Sequence, residues 1–249
     1  MSENYRSRVY EKLRKGVEER GYTLAERLSK TAGASGSIAF KGEKDHKSLV
    51  LKVGSYGLLE SFDIDNVKKL DELRRREREV LKLAGNHPNI PDYIDSFTIN
   101  PDSLYPEPIH VLVMEHIDLP SIAERIKNEE RVSEEEAKIL LRDGLSALKH
   151  LHTGLPYRVL HRDVKTGNVL LNHDKAYLID FDIVQQGESD ATSGTAIDTR
   201  GYYPIDAFNG HPNPSCDLVA LGHVAVAGIS GKEISEIRSE QGLYGLDPI

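Results

Sequence analysis

A single cysteine, Cys216, among 249 residues excludes an internal disulfide and fits a reducing compartment. Long apolar runs are missing too. Stretches such as Ile109 to Met114 stop far short of the ~20 residues of a spanning helix, so no membrane segment is expected. The opening Met1-Ser2-Glu3-Asn4-Tyr5-Arg6 lacks the basic-then-apolar order of a secretory signal, and cytoplasmic placement is the expectation. Basic charge is also in deficit. A formal net charge of −8 argues against a nucleic-acid partner, which normally needs a basic face. The cluster Arg74-Arg75-Arg76-Glu77-Arg78 alternates with acids and reads as a solvated helix face. What remains is ordinary globular usage, 39% hydrophobic and 29% charged, enough for a sizeable core in one large domain or two lobes.

Residues 3 to 20 carry Tyr10, Leu13 and Val17 at helical spacing, which predicts an amphipathic helix packed on the chain segment after it. A meander of three strands is expected next: one around Tyr22, Leu24 and Leu28, one at Ile38-Ala39-Phe40, and a buried one at Leu49 to Val53. Gly42 to Lys47 reads as polar turn material between them. Leu70 to Leu83 is charged with Leu70, Leu73, Val80 and Leu81 on one side, a helix that stops at Gly85-Asn86-His87-Pro88. Val111 to Met114 is another buried strand. Beyond Pro120 the pattern turns helical. Ser133 and Glu136 form a capping-box start for a helix reaching Leu151. Val169-Leu170-Leu171 and Ala176 to Ile179 predict a short hairpin across Asn172 to Lys175. Leu218 to Ile229 is apolar enough for a buried helix.

Asp163 and Asn168 stand five apart in one stretch, and Asp180 follows the hairpin, whose return strand would bring it beside them. Two carboxylates and an amide oxygen are hard ligands suited to Mg²⁺. Phosphoryl transfer needs such ligands, a group that orients the nucleophile, and cations that neutralise the phosphates. The spacing permits this chemistry without compelling it.

His161-Arg162-Asp163-Val164-Lys165-Thr166-Gly167-Asn168, followed by Asp180-Phe181-Asp182, resembles the H-R-D-x-K-x-x-N and D-F-G motifs of eukaryotic-like Ser/Thr protein kinases. The resemblance implies a two-lobed α+β fold: a small antiparallel-sheet N-lobe with one helix, and a mainly helical C-lobe without its last helices. Its boundaries would be a helical extension over 1–21 and a kinase domain over 22–249, split into N-lobe 22–114, hinge 115–119 and C-lobe 120–249. ATP and Mg²⁺ are the implied cofactors. Ser/Thr hydroxyls of protein substrates are the implied acceptors, with autophosphorylation included.

The same resemblance assigns roles. Asp163 would orient the hydroxyl and accept its proton, Lys165 would contact the transferred phosphate and mark the Ser/Thr variety, and Asn168 and Asp180 would hold the metal. Lys52, ending a strand, matches the V-A-I-K lysine of the α- and β-phosphates. Glu77 is preferred over Glu79 as its partner, because Glu77 places Leu81 four residues on. Gly33 and Gly36 match two glycines of the phosphate loop, with Thr31 in place of the first. Met114 would lie behind the adenine, Glu115 and Ile117 would offer backbone groups to its edge, and Ile38, Val50 and Leu170 would sandwich the ring. Asp198 to Asp206 resembles the end of an activation segment. Arg162 would pair with a phosphate on Ser189, Thr192, Ser193 or Thr195, and Asp217 would brace the catalytic loop.

Asp182 stands where the family has glycine, which restricts the backbone and adds a third carboxylate beside the metal ligands. Two other readings therefore stay open. Asp182, the loose glycine loop and the short C-terminal part favour a pseudokinase or nucleotide-binding regulatory module. A small-molecule kinase of the aminoglycoside or choline type would share the fold, but Lys165, Arg162 and the activation segment speak against it.

Overall fold

Val9, Leu13 and Val17 recur on successive turns, and burying this stripe fixes the first helix, α1 (Glu3–Glu18). The computed structural model describes residues 3–29, 35–54, 67–102, 107–186, 201–203 and 213–240. Two compact units emerge: Met1–Lys82 with Asp92–His116, and Leu83–Pro91 with Ile117–Ile249.

In the first unit, α1 precedes β1 (Thr23–Arg27), β2 (Ser37–Lys44), β3 (Lys47–Gly54), α2 (Val67–Ala84), β4 (Tyr93–Ile99) and β5 (Ile109–Glu115). The strands form one antiparallel sheet ordered β1-β2-β3-β5-β4. The turn expected over 42–47 shrinks to two residues. Asp45 and His46 are both left-handed (φ 50° and 62°), a turn whose twist matches its strands, so pairing runs on to Lys44 opposite Lys47. Gly42 belongs to β2 and serves close approach: a Cβ there would sit 2.4 Å from both the Leu51 side chain and the Thr23 carbonyl. The strand β4 was not expected, since Asp95, Ser96 and Thr98 break up its apolar character. Pairing with β5 along its length, from Tyr93 opposite Met114 to Ile99 opposite Ile109, makes it a strand.

Strand periodicity sorts the side chains onto two faces. Ile38, Phe40, Leu49, Leu51, Val53, Val111 and Val113 share a core with Val9, Leu13 and Val17 of α1. Each such aliphatic side chain contributes about 1.5–3 kcal/mol when fully buried. The alternate residues, including Val50, Lys52, Leu112 and Met114, lie on the opposite face.

The second unit opens with α3 (Ile122–Lys127) and α4 (Glu134–Lys149), each started by a capping box: Ser121 with Glu124 and Ser133 with Glu136. Arg125 joins the two helices through paired bonds to Glu136, Nη1 to Oε1 at 2.9 Å and Nη2 to Oε2 at 3.2 Å. Past Lys149 the helix continues as a π-turn over His150–Gly154. Short strands β6 (Val159–Leu160) and β9 (Gln185–Gln186) pair, as do β7 (Val169–Leu171) and β8 (Ala176–Leu178). The β7–β8 turn is held by the Asn172 side chain, which accepts from the N–H groups of Asp174 and Lys175.

Helix α5 (Pro214–Ser230) packs on α4 where Gly144 has no side chain, since a Cβ there would meet the Leu221 methyl at 2.7 Å. A short α6 (Ile234–Glu240) follows. The helix expected to be buried over 218–229 is buried in part, through Ala220, Leu221, Val224, Ala225, Ala227 and Gly228. Leu218, Val219, Val226 and Ile229 are between 41% and 50% exposed, because α5 meets its neighbours on one side only. Among the described residues no helix is long and apolar enough to cross a membrane.

Candidate functional site

Strand β3 carries Lys52 near its end, on the face away from α1, and the third turn of α2 brings Glu77 to it. Lys52 Nζ donates to Glu77 Oε1. The carboxylate is buried and the ammonium nearly so, at 3% and 12% side-chain exposure, so each charge depends on the other. Glu79, the competing partner, pairs instead with Arg75 at 2.7 Å on the exposed side of α2. Two residues of separation turn the two carboxylates to different faces.

Val50 and Met114 are directly opposite in the β3–β5 register and share the Lys52 face. Ile38 does not. It pairs with Val53, one residue out of phase with Lys52, and its side chain lies in the core against α1. This corrects the expectation that Ile38 sandwiches a ring together with Val50, and the two-residue period of a strand is the cause. Gly36 takes a left-handed φ of 67°, and its carbonyl accepts from Arg74 Nη2 at 3.3 Å. Gly33 lies outside the described residues. Glu115 spends its N–H on the Asp92 carbonyl at 2.9 Å.

In the second unit, Ile117 accepts from Leu119 N–H through its carbonyl. Leu170 is buried on β7 beside Ser121. The stretch from His161 to Asn168 forms a tightly bonded loop. Lys165 Nζ lies 3.0 Å from Asp163 Oδ2, and Asn168 Nδ2 donates to that oxygen and to the Asp163 carbonyl, both at 2.8 Å. Using the amide nitrogen on Asp163 leaves the Asn168 Oδ1 as its acceptor end. The β7–β8 hairpin then returns the chain, and Ile179 N–H donates to the Asn168 carbonyl at 3.0 Å, which sets Asp180 beside the loop.

Asp180 holds an unusual left-handed φ of 69°, as does Arg162 at 66°. Asp182 is not in that region, so the backbone strain expected there falls on Asp180 instead. Ligand oxygens of Asp180 and Asp182 lie within 4.8 Å of each other, and Asp182 is buried. This donor set, carboxylates and an amide oxygen without thiol or imidazole, fits a hard divalent cation such as Mg²⁺.

Asp217, at the start of α5, anchors the loop from below. It is buried and accepts four hydrogen bonds: from His161 N–H and Arg162 N–H at 2.9 Å, and from His152 Nε2 and the Tyr203 hydroxyl at 2.8 Å. Burial pushes its carboxyl up, but the His152 bond, the neighbouring imidazoles and the Arg162 amide outweigh it and hold the group below the usual carboxylate range. His161 packs its ring 5.0 Å from that of Phe181, and burial pushes its imidazole toward the neutral form. Sequence reasoning reached Asp217 but missed His152, Tyr203 and Glu233. They lie far from one another along the chain, with no spacing signal. The segment expected to carry Ser189, Thr192, Ser193 and Thr195 lies outside the described residues, as do Thr199 and Asp206.

A family model described as protein kinase domain matches residues 52–246. The serine/threonine-protein kinase PknA of Nostoc sp. is 28% identical over 181 residues, covering 69% of this chain and 30% of that protein. Serine/threonine-protein kinase D of Synechocystis sp. is 29% identical, over 72% of this chain and 34% of its own length. A putative ribosomal protein S6 kinase alpha-2 of Caenorhabditis elegans is 29% identical, over 70% and 24%. The chain thus spans between 24% and 34% of the length of these relatives.

Proposed function

This chain belongs to the protein kinase family, and from that premise we propose that it transfers the γ-phosphate of ATP to Ser/Thr hydroxyls of proteins, itself among them, in a Mg²⁺-dependent reaction. The observation that carries the reading is the loop in which Lys165 and Asn168 both hold Asp163 Oδ2. The names of the relatives and Lys165 two residues beyond Asp163 support the Ser/Thr acceptor. A cytoplasmic setting agrees with the single cysteine.

In this reading Asp163 accepts a hydrogen bond from the incoming hydroxyl and aims its oxygen at the γ-phosphorus. The new P–O bond forms as the bond to the β-phosphate oxygen breaks, ADP leaves, and the hydroxyl proton passes to the Asp163 carboxylate. Lys165 neutralises charge on the transferred group, and Lys52, steadied by Glu77, binds the α- and β-phosphates. In the first unit Val50 and Met114 offer apolar surface suited to an adenine and the Glu115 backbone a group for its polar edge; in the second, Leu170 and the Ile117 backbone offer the like. Gly36, left-handed, lets the chain approach the phosphates, and Gly33 is assigned to them by the motif alone. Asn168 and Asp180 would hold Mg²⁺, which supplies charge neutralisation on the phosphate oxygens.

The test is incubation of the chain with labelled ATP and Mg²⁺, with and without a generic basic protein, beside Asp163→Ala. Label on protein Ser/Thr, lowered about 10²–10⁴-fold by Asp163→Ala, is the expected result. Asp182, with its added carboxylate by Asp180, favours one second reading, a nucleotide-binding regulatory module. Binding of nucleotide without any transfer would establish that reading and sink the first.

A further inference from the structure

The backbone amide of Val164, inside the loop between Asp163 and Lys165, donates to a side chain from a distant part of the sequence. Its acceptor is the phenol oxygen of Tyr203 at 2.9 Å, and that phenol in turn donates to Asp217 Oδ1 at 2.8 Å. All three groups are buried. The preceding residue does the parallel job on the other side of the loop. Tyr202 hydroxyl donates to Glu233 Oε2 and lies 3.1 Å from Thr166 Oγ1, while Thr166 itself donates to Glu233 Oε1 at 2.7 Å. His223 Nδ1 donates to the Tyr202 carbonyl at 2.6 Å and secures the backbone between the two phenols.

We propose that the consecutive tyrosines Tyr202 and Tyr203 form a two-armed clamp that positions the catalytic loop, one arm through Val164 and Asp217, the other through Thr166 and Glu233. Tyr203 and Thr166 are positioning residues in this scheme. They touch no reacting atom, but they hold the chain on either side of Lys165, at Val164 next to Asp163 and at Thr166. Two carboxylates, Asp217 and Glu233, are the fixed posts.

The geometry has a clear electrostatic logic. Each phenol points at a carboxylate, so each stays protonated and donates to its post, and Tyr203 also accepts from the loop at Val164. Burial, reinforced by the adjoining carboxylate, pushes both phenols well above the ordinary tyrosine value, so neither loses its proton near neutral pH. Without the Tyr203 oxygen, the Val164 N–H would be a buried donor with no partner, and the loop would have to shift to hydrate it. A displacement on that scale is enough to misplace Asp163.

The test uses Tyr203→Phe, which keeps the ring and removes only the oxygen, and Thr166→Val beside Thr166→Ser. Amide exchange resolved by NMR at Val164 is the first readout, and it needs no activity. Tyr203→Phe should speed exchange at Val164 and its loop at least about tenfold while α4 and α5 keep their protection. The second readout rests on the proposed phosphotransfer. There, kcat should fall about 10- to 100-fold in Tyr203→Phe with KM for ATP within about twofold of wild type. Thr166→Val should lose several-fold in kcat, and Thr166→Ser, which restores the hydroxyl, should recover most of it. Wild-type exchange and wild-type kcat in Tyr203→Phe would overturn the clamp. Faster exchange spread evenly over α4 and α5 would do the same, since that marks general destabilisation. If the wild-type chain transfers no phosphate, the proposed function fails, and exchange at Val164 alone decides the clamp.

Discussion

Lys52 in the first unit and Asp163 in the second are both nearly buried charged groups, yet they are held in different ways. Lys52 is matched by Glu77, a carboxylate carried on a helix. The loop around Asp163 is held from several directions: by Lys165 and Asn168 on its own oxygen, by two amides bonded into Asp217, and by Tyr203 on the Val164 amide. A pair joined across a strand and a helix depends on where both elements lie. A loop tied at many points owes its shape to each of several bonds, so the loss of one is felt along the loop. The difference separates an ion pair between two elements from a hydrogen-bond network that gathers several.

The largest expected effect lies on the many-tied side. Asp217→Ala leaves two loop amides, an imidazole and a phenol without their acceptor, and should lower unfolding free energy by about 3–5 kcal/mol. Urea unfolding measures it, and a loss under about 1 kcal/mol would show that the ties are redundant. Glu77→Ala removes the carboxylate to which Lys52 Nζ donates, on the other side of the comparison. The cost should be smaller, about 1–3 kcal/mol, because Lys52 retains some exposure and its long stem can turn to water. A cost above that of Asp217→Ala would reverse the comparison.

Acid should act on the many-tied loop next, in two stages. Buried His161 takes up a proton less readily than a free imidazole, ordinarily near 6.5, so the native state binds fewer protons than the unfolded one. The stability it protects is complete above pH 6.5 and is lost as pH falls below it. Asp217, held below its ordinary 3.8, adds a second loss as pH falls under that value. Denaturant midpoints taken at pH 7, 6 and 5 should drop in order, and His161→Gln should reduce the first stage, the rest coming from His87 and His110, which burial shifts the same way. The smallest effect sharpens the pairing in the first unit. Glu79→Gln removes only an exposed bond to Arg75 and should change stability by no more than about 0.5 kcal/mol and leave phosphotransfer unaltered.

Much of the fold was legible along the chain because it is encoded locally. Tyr10, Leu13 and Val17 announce α1 by their spacing, Ser133 and Glu136 announce the start of α4, and Asn172 announces the β7–β8 turn. The Lys52 partner was legible too, since Glu77 and Glu79 cannot point the same way on one helix. Strand β4 was not legible. Its polar residues give no alternation, and only the partner strand β5 supplies the reason to extend. Ile38 was misassigned because motif spacing counts residues, whereas the β2–β3 register decides which face each residue occupies. Tyr203, His152 and Glu233 left no trace, since they meet the loop only after the chain has folded back on itself.

By itself, the order of residues determined the helices and hairpin, the family motifs, and the types of side chain available for metal and phosphate. Those arise from local propensity and spacing, which act over a few residues. Only the tertiary structure decided which face of the sheet carries Val50 and Met114 with Lys52, and which distant groups lock the loop at Asp163. Register and buried hydrogen bonds join residues tens of positions apart, and burial alone gives such bonds the strength to hold.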